Sequence, residues 1–103
     1  MKEKKRPLGL YIHIPFCRSK CAYCDFYSLP DGEAMFKRYT AALRRHLTET
    51  APSAALHQVD TIYFGGGTPS LLGHRLLLEI LDTILHKYNV AKDAEITLEA
   101  NPE

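Results

Sequence analysis

Val59-Asp60-Thr61-Ile62-Tyr63-Phe64-Gly65-Gly66-Gly67-Thr68-Pro69-Ser70 is the stretch that decides the fold. Val59 to Phe64 is rich in β-branched and aromatic residues and reads as a strand. Gly65-Gly66-Gly67 breaks it, and Thr68-Pro69-Ser70 leads into a helical stretch. There Leu77, Ile80, Leu81, Ile84 and Leu85 recur at helical spacing, with Asn89 as a stop. Working outward, Leu8-Gly9-Leu10-Tyr11-Ile12-His13-Ile14 is a strand closed by Pro15. Asp31-Gly32 is a turn in which Asp31 can cap a helix that ends near Pro52. Phe36, Tyr39, Leu43 and Leu47 form its apolar stripe, with Lys37, Arg38, Arg44 and Arg45 turned away. Glu95-Ile96-Thr97-Leu98-Glu99-Ala100 is a third strand, closed by Asn101-Pro102. The predicted order is βαβαβ, an α/β class with parallel strands and right-handed crossovers.

In parallel sheets of this kind, ligands bind at the carboxyl ends of the strands. Three chemically distinctive features fall there. The glycine run follows the second strand, Glu99 lies near the end of the third, and a cysteine loop follows the first. That loop, Cys17-Arg18-Ser19-Lys20-Cys21-Ala22-Tyr23-Cys24, holds all 3 cysteines of the chain as C-x3-C-x2-C. Three thiolates so close in sequence can converge on one metal centre and leave its fourth corner open. An open corner on an iron–sulfur cluster binds and activates a ligand. A structural zinc site closes with four Cys or His ligands. His13 is the one nearby candidate for a fourth, but it sits within a strand. A disulfide would leave one cysteine over. The cluster is the reading the spacing favours, and zinc stays open beside it.

Composition narrows the setting. The chain has 103 residues, 46% hydrophobic and 24% charged, with a formal net charge of +1. That balance gives no support to a nucleic-acid surface. Lys2, Lys4, Lys5 and Arg6 make residues 1–7 a basic tail. The apolar run from Leu8 to Phe16 is interrupted by His13 and Pro15 and is not a secretory leader. No stretch approaches the ~18 apolar residues of a membrane span. A reducing, cytoplasmic setting is expected, where clustered cysteines bind metal more often than they pair. An uncovered third strand would expose an apolar face. Residues 8–103 are therefore expected to be the N-terminal, incomplete part of a larger core domain.

Specific wording adds to this pattern. The C-x3-C-x2-C loop, with aromatic Tyr23 before its last cysteine, resembles the radical S-adenosylmethionine (SAM) superfamily. Tyr11-Ile12-His13-Ile14-Pro15-Phe16-Cys17 and Cys24-Asp25-Phe26-Tyr27-Ser28 are similar to the oxygen-independent coproporphyrinogen III oxidase group. So are Ile62 to Ser70 and Glu99-Ala100-Asn101-Pro102. Within that group the haem chaperone (HemW) branch is the best match. The resemblance runs from Leu8 to Glu103 and covers about the first quarter to third of such proteins.

The resemblance implies the start of a partial (βα)6 TIM-like barrel. It implies that Cys17, Cys21 and Cys24 ligate three irons of a [4Fe–4S] cluster, and that SAM chelates the fourth. The reduced cluster then cleaves SAM to methionine and a 5′-deoxyadenosyl radical, while the protein binds, orients and shields. Gly66, Gly67 and Thr68 would meet the methionine end of SAM. Tyr11 would lie near SAM, Tyr23 beside the adenine or cluster, and Glu99 on the ribose hydroxyls. Implied partners are haem or porphyrin, a reductant such as flavodoxin or ferredoxin, and apo-haemoprotein clients. Haem-binding residues would lie beyond position 103.

One departure separates the branches. The oxidases carry a further cysteine two residues after the last ligand, where this chain has Phe26. The chaperone branch has Phe there. Coproporphyrinogen decarboxylation is therefore the alternative reading, and a small zinc-binding module is a third. Each residue also has a plainer role: the glycines as a tight turn, Glu99 as a solvated charge, and Tyr11 as packing. Phe16, Phe26 and Tyr27 read as packing that keeps water from the loop. His13 reads as a hydrogen-bonded strand residue, and His46, His57, His74 and His86 as surface residues.

Overall fold

A computed structural model of the protein describes residues 5–16, 32–67 and 69–99. Strand β1 (Arg6–Ile14) is followed by helix α1 (Gly32–Thr50) and a 3-10 turn at Ala51–Ala54. Strand β2 (His57–Gly66), a 3-10 turn at Pro69–Leu72, helix α2 (His74–Lys87) and strand β3 (Val90–Leu98) complete the order. The three strands form one parallel sheet in the order β1-β2-β3. The expected βαβαβ alternation is thus the observed one.

The two strand faces differ in chemistry. Ile12, Ile14, Ile62 and Phe64 are buried with Leu47 of α1 and Ile80 and Ile84 of α2 in one apolar cluster. Tyr11, His13 and Tyr63, alternating with them, are exposed on the opposite face. Val59 and Ile62 are both buried although an odd spacing should put them on opposite faces. A bulge resolves this. Leu8 pairs with Val59 and Gly9 with Thr61, so Asp60 has no partner in the ladder and the alternation resets. Full burial of an isoleucine such as Ile62, Ile80 or Ile84 stabilises the fold by about 1.5–3 kcal/mol each.

Element boundaries moved. β1 starts at Arg6 rather than Leu8, because Arg6 and Pro7, expected in the basic tail, stand opposite His57 and Gln58 of β2. β2 does not stop at Phe64 but runs through Gly65 and Gly66, because both still pair with β1 at His13 and Ile14. β3 starts at Val90 rather than Glu95, where it pairs with Val59. α1 ends at Thr50, and Pro52 sits in the 3-10 turn. The cap proposed for Asp31 lies outside the described residues.

Two side-chain expectations also change. Arg44 is not turned to solvent. Its Nε donates to Thr83 Oγ1 at 2.8 Å, and Nη1 lies 3.5 Å from Glu79 Oε1, joining α1 to α2. Leu85 is not part of the buried stripe, being 51% exposed, whereas Ile80 and Ile84 are fully buried. His57 is half-buried, with Nδ1 lacking a hydrogen-bond partner, while His46, His74 and His86 are exposed. At the amino end of the sheet, Tyr88 Oη donates to Leu47 O at 2.9 Å and lies 2.8 Å from Thr50 Oγ1. Beyond the cover of the helices, Ile96 and Leu98 of β3 remain 49% and 43% exposed.

Candidate functional site

The helix-free face of the sheet, near its carboxyl ends, collects the polar and aromatic groups. Register puts Tyr11 of β1, Tyr63 of β2 and Thr97 of β3 in one row, with His13 beside Gly65 in the next. The Tyr11 and Tyr63 rings stack at 5.7 Å with an interplanar angle of 18°. Tyr11 Oη lies 3.4 Å from His13 Nδ1. Gly65 leaves room for its neighbours: a Cβ there would come within 2.7 Å of the Tyr63 ring and 2.8 Å of Tyr11 Oη, so both rings would have to shift.

Gly66 is required by its own backbone. Its φ is +114°, and a Cβ would meet the Ile14 carbonyl oxygen at 2.6 Å. That carbonyl accepts from Gly67 N at 2.9 Å, so it is held in place. Glu99, just past β3, is drawn to the same spot. Its amide donates to Phe64 O at 2.9 Å, and its Oε1 accepts from Gly66 N at 3.1 Å. The charge of the Glu99 carboxylate raises the Tyr63 phenol above its ordinary pKa, and desolvation and Tyr11 act in the same direction.

The carboxyl end of β1 is anchored from the other side. Phe16 is buried, its ring 4.7 Å from Phe36 and 5.3 Å, edge-on, from Tyr39. The Tyr39 hydroxyl donates to the His13 carbonyl, and burial raises its pKa, keeping it a neutral donor. Packing of Phe16 against α1 thus fixes the chain immediately before Cys17.

Of the sequence-predicted site residues, Tyr11, Gly66, Gly67 and Glu99 are brought to one rim. Cys17, Cys21, Tyr23, Cys24 and Thr68 lie outside the described residues, as do Phe26 and Tyr27. Among the described residues, no group of three His, Cys, Asp or Glu side chains could hold a metal ion. Sequence reasoning missed Tyr63 and Gly65. Their signal was present as period-two alternation along β2, which puts Thr61, Tyr63 and Gly65 on one face.

The rim combines a carboxylate with free acceptor capacity, exposed backbone at two glycines and a wall of two tyrosines. A carboxylate held this way can accept hydrogen bonds from two neighbouring hydroxyls of a ligand. The sequence pattern of the radical SAM superfamily matches residues 11–103. The chain belongs to the radical SAM superfamily. Among its relatives, the haem chaperone HemW of Escherichia coli (strain K12) is 46% identical over 100 residues, covering 96% of this chain and 26% of that protein. The haem chaperone HemW of Mycobacterium tuberculosis (strain ATCC 25618 / H37Rv) is 43% identical over 101 residues, covering 95% and 26%. The solved structure of coproporphyrinogen III oxidase (HemN) from Escherichia coli, a radical SAM enzyme, is similar with a TM-score of 0.81 and 31% identity. That likeness covers 96% of this chain and 23% of the oxidase, and the sheet matches the start of its radical SAM barrel. This chain therefore spans about a quarter of the length of the relatives it matches. Membership in the radical SAM superfamily implies SAM and a [4Fe–4S] cluster. Among the described residues, no helix is long and apolar enough to cross a membrane.

Proposed function

We propose that this chain is the cofactor-binding start of a cytoplasmic radical SAM protein that binds haem and delivers it to apo-haemoproteins. The observation that carries the cofactor reading is the convergence of Gly66 and Glu99 beside the end of β1, three residues before Cys17. Cys17, Cys21 and Cys24 would hold three irons of the cluster. Gly66, Gly67 and Thr68 would meet the methionine end of SAM, Glu99 the ribose hydroxyls, and Tyr11 and Tyr23 the flanks. When bound, the cluster and SAM together supply one-electron radical chemistry. The residues of this chain would bind and orient SAM, and the Phe16–Phe36–Tyr39 packing holds the segment that leads into the loop.

Relatives named as haem chaperones, together with Phe26 at the extra-cysteine position of the oxidases, support chaperone over oxidase. Likeness to the solved oxidase supports the alternative, decarboxylation of coproporphyrinogen III to protoporphyrinogen IX. Haem or porphyrin, a flavodoxin- or ferredoxin-type reductant and apo-haemoprotein clients are the proposed partners.

The test is electron paramagnetic resonance on the anaerobically reconstituted, reduced protein, with and without SAM, beside a Cys21→Ala variant. A [4Fe–4S]⁺ signal that changes with SAM and is lost in the variant is expected. Haem titration and deoxyadenosine formation with coproporphyrinogen III then separate chaperone from oxidase. A colourless, zinc-loaded protein would sink the radical reading.

A further inference from the structure

Between the first halves of α1 and α2 lies an open groove that the cofactor site does not use. Phe36 of α1 and Leu72 of the 3-10 turn supply apolar surface, with Lys37 on the α1 side and Arg75 on the α2 side. Both cations are exposed, and among the described residues neither pairs with a carboxylate. Arg44 and Glu79 also line the groove, but they face each other at 3.5 Å and add no net charge. Gly73 begins α2 without a side-chain cap, and the first turn carries no acidic residue. The partial positive charge of that helix end is therefore not offset locally. The whole chain has a formal net charge of only +1, so the positive groove is a local arrangement.

Its place in the fold links it to the cysteine loop. Each helix follows a strand, so the first turns of α1 and α2 lie at the carboxyl ends of the sheet, where the site is. Phe36 lines the groove and also packs on Phe16, with ring centroids 4.7 Å apart. Phe16 immediately precedes Cys17. Two packed rings thus connect the groove to the start of the loop.

Apolar surface flanked by charge suits protein docking. Cations at the rim select an acidic partner and speed its arrival. Cations carried on two different helices suit an extended surface better than one small anion. We propose that this groove docks an acidic one-electron carrier protein beside the cluster held by Cys17, Cys21 and Cys24. The proposal rests on the cluster reading above and names the surface that its reductant uses. One electron leaves the carrier, which is oxidised, and reduces the cluster; no bond forms or breaks and no proton moves.

Lys37→Glu with Arg75→Glu reverses the two free cations and leaves the Phe16–Phe36 packing and the Arg44–Glu79 pair in place. Lys87→Glu with Lys92→Glu is the control, the same change in net charge at exposed positions outside the groove. The probes are two acidic carriers, flavodoxin and a [2Fe–2S] ferredoxin. Their Kd values, and the rate at which each in reduced form reduces the cluster, would be measured on cluster-loaded protein of equal iron and sulfide content. Photoreduced deazaflavin, a small reductant that needs no docking surface, gives the reference rate. The groove reversal should weaken carrier binding about ten- to a hundredfold at low salt and less at moderate salt, with the reduction rate falling in step. The deazaflavin rate and the effect of SAM on the paramagnetic signal should not change, and the control pair should alter carrier binding far less. Equal losses in the two variants would assign the effect to net charge and overturn the groove. Weaker binding with unchanged reduction would overturn the electron-carrier role. A SAM-responsive cluster that neither carrier reduces, or that both carriers reduce as well after the groove reversal, overturns the proposal alone. A protein that takes up no SAM-responsive cluster overturns the cluster reading, and the proposal with it.

Discussion

Replacing Gly66 by alanine tests whether the glycine run is a site or only a turn. The added methyl must occupy a backbone with φ of +114° and lie 2.6 Å from the Ile14 carbonyl oxygen. The unfavourable backbone conformation costs about 1–3 kcal/mol. The close approach costs about 1–3 kcal/mol more, because the obstacle is backbone and cannot swing aside. Ile14 O is also tied to Gly67 N at 2.9 Å, so relief by moving it breaks that bond. The Gly66 N–Glu99 hydrogen bond, exposed to water, adds about 0.5–1.5 kcal/mol at most. A loss of about 2–7 kcal/mol is expected. Gly73 gives the comparison: its φ is +89°, yet nothing lies within 4 Å of the position a Cβ would take. Gly73→Ala should therefore show the backbone penalty alone, about 1–3 kcal/mol. Denaturant unfolding of the two variants beside the unsubstituted protein reads both costs, and SAM binding should be lost only in Gly66→Ala. Equal destabilisation of the two variants would refute the close-approach reasoning.

Gly65→Ala should behave differently again, because its obstacles are the rings of Tyr11 and Tyr63, and exposed side chains can move. Its unfolding free energy should fall by under about 1.5 kcal/mol, near the lower end of overpacking costs, while near-ultraviolet circular dichroism shows the tyrosine pair displaced. Ile62→Ala empties the centre of the sheet–helix core, where Ile62 is fully buried, and should cost about 2–5 kcal/mol in denaturant unfolding. The Tyr63 phenol should titrate above the usual 10.0 because the Glu99 carboxylate stands beside it. With the folded pKa raised, the stability tied to the protonated phenol is complete below the ordinary pKa and is lost as pH rises through the raised value. Ultraviolet difference titration should show one tyrosine ionising earlier in Glu99→Gln, and an unchanged curve would remove Glu99 as the cause.

Much of the site could be read before any coordinates. Order and periodicity alone put the glycine run and Glu99 at one rim, where Gly66 N and Glu99 Oε1 meet; the C-x3-C-x2-C loop, expected there too, lies outside the described residues. Parallel strands joined by helices leave their carboxyl ends on the same side. Tyr63 escaped notice because its importance lies in what stands beside it. A tyrosine in a strand of apolar residues looks like packing until the register with β1 and β3 shows that it faces away from the core. Arg44 escaped for a similar reason: its partners, Thr83 and Glu79, belong to another helix. The stop at Phe64 was misplaced because glycine is a weak strand former in isolation, whereas β1 supplies a complete ladder through Gly66.

By itself the sequence determined the α/β alternation, the apolar stripes of both helices and the thiolate loop with its spacing. These depend on neighbours a few residues apart, whose relations follow from 3.6- and two-residue periods. Tertiary structure alone decided the Asp60 bulge that buries both Val59 and Ile62, and the close approach of the Tyr11 and Tyr63 rings to Gly65. It also decided the meeting of Glu99 with Gly66. Those outcomes depend on strand register. Register is set by packing between segments far apart in the chain, and no local pattern encodes it.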